Sequence, residues 1–99
     1  MEIITKAENL KLTPALKSFI KRKISDLEKF GNGIARVEVG RISFHHKKGL
    51  VFQAVCQIKN LRAEARSTDL RKAITQVKDE MQVQLKKYKE KKYNWKNKP

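Results

Sequence analysis

The chain has 99 residues and a formal net charge of +14, with 24 Lys and Arg set against 10 Asp and Glu. That length is one domain's worth with a core of modest size, and so large an excess of positive charge points to nucleic acid or an anionic membrane surface as the partner. No stretch approaches the ~18 apolar residues of a membrane span, the start Met-Glu-Ile-Ile-Thr-Lys lacks the ordered regions of a signal peptide, and a lone Cys56 can form no internal disulfide, so a cytoplasmic protein is expected.

Glu2 to Ala7 alternates weakly and reads as a first strand, followed by the apolar anchors Leu10 and Leu12. Thr13-Pro14 then sets a helix start, because Thr13 can cap free amides and proline suits the first helical position. Leu16, Phe19, Ile20, Ile24, Leu27 and Phe30 follow at intervals of three and four, which predicts a helix over residues 14–30. Gly31-Asn32-Gly33 ends it, since glycine adopts the left-handed cap conformation at little cost.

Arg36 to Phe44 is strand-like but changes phase, with Val37 and Val39 on one face and Ile42 and Phe44 on the other. A bulge near Gly40 would reconcile the two halves. His45-His-Lys-Lys-Gly49 reads as a polar hairpin turn. Leu50, Phe52, Ala54, Cys56 and Ile58 share one face of a third strand, and Lys59-Asn60 turns into a fourth, Leu61 to Arg66. There Leu61, Ala63 and Ala65 face one way and Arg62, Glu64 and Arg66 the other. The small alanines would let a helix approach closely.

The last third carries Leu70, Ala73, Ile74, Val77, Met81, Leu85 and Tyr88 at helical spacing, with Thr68 or Asp69 placed to cap the first turn. Tyr88 falls on this stripe and is expected in the core. From Lys86 to Lys98 there are seven lysines and one acid, Glu90. The order strand, helix, three-stranded meander, helix predicts an α+β domain: a β-α-β-β-β-α two-layer sandwich, a four-stranded sheet with both helices on one face. The domain is expected over residues 1–92, with 93–99 a flexible basic tail.

Catalytic patterns are missing from this order. His45-His46 are adjacent on a strand end, point to opposite sides and have no acid or cysteine cluster beside them, so no metal is expected. Cys56 sits among alternating hydrophobic residues and reads as a buried, inert thiol. Asp79-Glu80 fit local contacts on the helix, such as Glu80 with Gln84 or Asp79 with neighbouring lysines. With no nucleophile elbow and no phosphate-cradling glycine loop, neither an enzyme nor a cofactor is expected.

Leu12-Thr-Pro-Ala-Leu16, Leu27-Glu-Lys-Phe30, the meander lengths, Asp69-Leu70, Ala73-Ile74 and Gln84-Leu85 together give a more specific signal. In their order and spacing the chain, over roughly residues 2–92, resembles the short ribosome hibernation-promoting factors, the family that includes ribosome-associated inhibitor A. The resemblance implies a fold similar to double-stranded RNA-binding domains. It also implies binding to small-subunit rRNA in the channel used by mRNA and tRNA, blocking translation under stress or in stationary phase. Long members carry a further dimerisation domain, which a chain stopping at Pro99 is expected to lack. Lys23, Lys87 and Lys91 fall on positions that are usually basic in the family. Asp26 and Glu80 stand where Lys is common, Val83 where Arg is common, and Arg71 replaces a frequent Tyr.

A charge run is often only a solvated face, yet an excess of +14 gathered towards one end favours RNA. The expected contacts are Lys21, Arg22, Lys23 and Lys29 on the first helix and Lys78, Lys86, Lys87, Lys89 and Lys91 on the last. Tyr93 and Trp95, interleaved with lysines, either stack on bases or fold back on the helices. The expected partner is the small ribosomal subunit and its rRNA, met by a monomer, with no membrane and no small-molecule substrate. Two alternatives stay open: a general double-stranded RNA binder, and a protein-interaction adaptor that pairs through an exposed strand Arg36 to Phe44.

Overall fold

A computed structural model describes residues 1–31, 33–42 and 51–97, with 89–97 as backbone only. The elements are β1 (Glu2–Glu8), α1 (Pro14–Ser25), a 3-10 turn (Asp26–Phe30), β2 (Ile34–Ile42), β3 (Val51–Ile58), β4 (Leu61–Ser67) and α2 (Leu70–Asn97). The strands form one mixed sheet in the order β1-β2-β3-β4. β1 runs parallel to β2, and the other two pairs are antiparallel. The expected β-α-β-β-β-α architecture is the one observed.

Local chemistry starts both helices. Thr13 Oγ1 accepts from the Leu16 N–H at 3.2 Å with Pro14 in the first turn, and Asp69 Oδ1 accepts from the Arg71 N–H at 2.9 Å. Between the two candidate caps for α2, Asp69 is the one that serves. The first helix does not stay α-helical to Phe30. The Asp26 N–H bonds the Lys23 carbonyl, and the chain tightens into a 3-10 turn that keeps Leu27 fully buried and Phe30 half-buried. Gly31, at φ +139°, ends the turn in a conformation that side-chain-bearing residues rarely adopt.

One core fills the space between the sheet and the helices. Ile20, Ile24 and Leu27 meet Ala35, Val37, Val39, Ala54, Cys56, Ile58 and Ala63 of the sheet and Ala73, Ile74, Val77, Met81 and Leu85 of α2. Burial of the Cys56 thiol pushes its pKa up to about 12. Its sulfur is a core atom and not a nucleophile.

Three expectations fail on this framework. No bulge interrupts β2: Gly40 pairs in continuous register with Glu8 and Gln53, and Arg41 and Ile42 with Phe52 and Val51. The apparent change of phase arises because β2 outruns its helical cover, so Arg41, on the core-facing side, is exposed while Ile42 on the open face is half-buried. Nor does β2 offer a pairing edge, since both of its sides are taken by β1 and β3 and its Val37 and Val39 are buried. Tyr88 is not in the core; it is 44% exposed. Gln84 Nε2 donates to the Arg62 carbonyl near the start of β4 at 2.8 Å, so α2 passes the end of the sheet there and Tyr88 lies beyond it. The backbone of α2 is helical to Asn97.

The expected His45–Gly49 turn and the ends Phe44 and Leu50 lie outside the described residues, as do the side chains of Lys89, Lys91, Tyr93 and Trp95.

Candidate nucleic-acid interface

The alternation of the strands divides the charge between two faces. On the open face of the sheet, rows of cross-strand neighbours run Ile4–Arg36–Gln57–Arg62, then Lys6–Glu38–Val55–Glu64, then Glu8–Gly40–Gln53–Arg66, with Glu2 beside Ile34 at one end. Glu2, Glu8, Glu38 and Glu64 cancel Lys6, Arg36, Arg62 and Arg66. Glu64 is the hub: it receives Gln53, pairs with Arg62 at 3.0 Å and with Arg66 at 3.4 Å. This face is therefore neutral; Arg41, on the other side of β2, carries one charge of the excess of +14, and the remaining 13 fall on the helices, the connections and the chain ends.

The helical side is organised by the way α1 and α2 lie together. Arg71 sits over the Phe19 ring and Lys78 reaches Asp26, so the two helices run side by side in the same direction. Phe19, half-buried between them, gathers three cations: Arg22 and Lys23 at 5.7 Å and Arg71 at 5.4 Å from the ring centroid. One α1 turn and the first turn of α2 thus converge on a single positive patch. Further along, Lys78 lies between Asp26 at 4.0 Å and Asp79 at 3.6 Å, with only 17% of its side chain exposed. It ties α2 to the 3-10 turn and is not a free cation. Past this ionic bridge come Lys29, whose Nζ lies 5.4 Å from the Phe30 centroid, and the exposed Lys86 and Lys87. Arg71 and Lys87 are about 24 Å apart along the helix axis. The positive surface is long and parted in the middle by its one ion bridge.

The structure brings the expected residues together unevenly. Arg22 and Lys23 join; Lys21 and Lys29 are exposed; Lys86 and Lys87 stand where α2 leaves the sheet; Lys78 is engaged within the chain. None of Lys21, Arg22, Lys23, Lys29, Lys86 and Lys87 is ion-paired among the described residues. Arg71 is the cation that sequence reasoning missed as a site residue. Its place opposite Phe19 depends on helix packing across 52 positions, and only its departure from tyrosine could have drawn notice. Glu80 does not engage Gln84, whose amide is taken by Arg62. Among the described residues no group of three His, Cys, Asp or Glu could hold a metal ion, and no helix is long and apolar enough to cross a membrane.

Such a surface can bind phosphates by charge.

A family model described as sigma 54 modulation protein / S30EA ribosomal protein matches residues 3–93. The ribosome hibernation promotion factor of Staphylococcus aureus is 29% identical over 85 residues, covering 83% of this chain but 45% of that protein, so the chain spans about half the length of this curated relative. Among solved structures, the N-terminal domain of Thermus thermophilus Protein Y superposes with a TM-score of 0.67 at 21% identity, covering 89% of this chain and 99% of that one. A ribosomal subunit interface protein from Coxiella burnetii gives a TM-score of 0.70 at 20% identity, covering 90% of this chain and 98% of that one. At these identities the two structures speak to the fold.

Proposed function

The chain belongs to the sigma 54 modulation protein / S30EA ribosomal protein family, and from that membership we propose that it binds the small ribosomal subunit and promotes ribosome hibernation. In this reading a monomer lays its helical side against small-subunit rRNA in the channel used by mRNA and tRNA. Occupying that channel blocks translation under stress or in stationary phase, and no catalysis is involved. Lys21, Arg22, Lys23 and Lys29, joined by Arg71, meet phosphates from α1, the 3-10 turn and the start of α2; Lys86, Lys87, Lys89 and Lys91 do so from its far end. Lys78, held between Asp26 and Asp79, keeps the helices together instead of reaching out.

The observation that carries this reading is the division of charge. A neutral open sheet face and a helical side whose cations, Lys78 apart, are unpaired among the described residues suit a one-sided binder of a large polyanion. Each phosphate neutralised releases counterions, so affinity accrues without base readout, and A-form RNA offers shape, phosphate and 2′-hydroxyl for such a surface. Co-sedimentation with purified small subunits across a salt series, with free duplex RNA as competitor, tests it. Saturable one-to-one binding that weakens steeply with salt and resists the duplex is expected. Binding that the duplex removes would identify a general double-stranded RNA binder, and salt-resistant binding a protein adaptor.

A further inference from the structure

Among the residues whose side chains are described, Tyr88 is the one exposed aromatic, and nothing in the fold requires it to be aromatic. It continues the apolar stripe of α2 one step past Leu85, where the sheet beneath the helix has ended. What it meets is the β3–β4 turn. Lys59, at φ +56° in that turn, places its ammonium 5.5 Å from the Tyr88 ring centroid. The same ammonium lies beside Gly31, 3.9 Å from where a Cβ on that residue would be, an ordinary contact distance. Lys86 and Lys87 precede the ring on the exposed helix. None of these lysines is ion-paired among the described residues.

We propose that Lys59 and Tyr88 form a nucleotide-sized contact for single-stranded RNA: an unpaired base stacks on the Tyr88 ring while the Lys59 ammonium holds the adjoining phosphate. The inference rests on the RNA-binding reading above and deepens it, adding to the phosphate-binding helices a contact for a splayed base, supplied partly by the sheet's own turn. Every base has a π-face, so stacking of this kind is tolerant of sequence, and an aromatic ring flanked by lysines is the arrangement that single-strand binders use. The Lys59 ammonium lies over one face of the ring at 5.5 Å from its centroid, so the base stacks on the other face while the ammonium offers its charge to the adjoining backbone.

The test uses the full chain and a short single-stranded RNA carrying 2-aminopurine, whose fluorescence is quenched on stacking. Wild type and Tyr88→Phe are expected to quench it. Tyr88→Leu keeps apolar bulk at an exposed site but loses the quenching and binds about tenfold more weakly. Lys59→Ala lowers the salt slope of binding by about 0.7, the value for one phosphate on a single strand, whereas Tyr88→Leu leaves that slope unchanged. Equal quenching and affinity in wild type and Tyr88→Leu would overturn the proposal, as would equal losses in Tyr88→Phe and Tyr88→Leu, or no binding of the oligonucleotide by wild type. Co-sedimentation of the wild type with small subunits separates the two readings: its failure overturns ribosome docking, while the oligonucleotide decides on stacking by itself.

Discussion

Replacing Arg22, Lys23 and Arg71 together with alanine removes the three cations gathered on Phe19. With Lys21, Lys29, Lys86, Lys87, Lys89 and Lys91 they make up the nine cations of the proposed contact. At roughly 0.7 to 0.9 per phosphate contact, nine contacts give a log–log salt slope of about −6 to −8 and a loss of roughly 6,000- to 75,000-fold between 50 and 200 mM salt. Removing three of them should lower the slope by a third, to about −4 to −5, and weaken binding most at low salt. A matched variant, Lys6→Ala with Arg36→Ala and Arg62→Ala, removes the same charge from the open sheet face. It should leave the slope where it was. The assay is small-subunit binding at five or six salt concentrations for wild type and both variants, each checked for the native circular dichroism spectrum. Equal slopes in the two triple variants would refute the one-sided surface, because binding would then follow net charge alone.

Reversing Lys86, Lys87 and Lys91 to Glu should abolish subunit binding while the unfolding midpoint stays near wild type; full affinity in the folded variant would remove the end of α2 from the interface. Met81→Ala, opening a cavity among residues 0% exposed, should cost about 2–5 kcal/mol in denaturant unfolding. Asp69→Ala, which loses the acceptor for the Arg71 N–H, should cost about 1 kcal/mol in the same experiment. The Cys56 thiol should resist alkylation at pH 8 until the chain unfolds. Because its folded pKa of about 12 lies above the ordinary 9.0, its contribution to stability is fully present below pH 9 and is lost as pH rises from there through 12, which alkaline unfolding curves of wild type and Cys56→Ala can compare.

The helix starts at Thr13-Pro14 and Asp69, the stripes of both helices and the three-stranded meander were all legible in the sequence, because each is written in local chemistry or in a period. The 3-10 turn was half legible: Ile24, Leu27 and Phe30 follow one another by three residues, the period of that helix, though they also fit an α-helical stripe. Tyr88 was misplaced for a different reason. Periodicity says which side of a helix is apolar, but not where the partner beneath it stops. The change of phase at Gly40 has the same cause, since it follows from how far the helices cover β2 and not from the strand itself. For the candidate site, the sequence supplied the cations but not their state. That Lys78 is held by Asp26, and that Arg71 joins Arg22 and Lys23, both depend on two helices lying parallel, which no local pattern encodes.

The neutral sheet face also has a consequence for how fast and in what attitude the molecule arrives. The described charges of the helices lie on one side of a neutral sheet face and so give a dipole directed from sheet to helices. Near a phosphate-covered surface that dipole feels a torque over about a Debye length, ~8–10 Å at ordinary ionic strength. On the proposed reading, molecules approaching sheet-first should be turned before touching, which would make a larger share of encounters productive. The association rate should then fall with added salt faster than the dissociation rate rises at the outset. A sheet face that makes no contact would thus act on the encounter by what it leaves out.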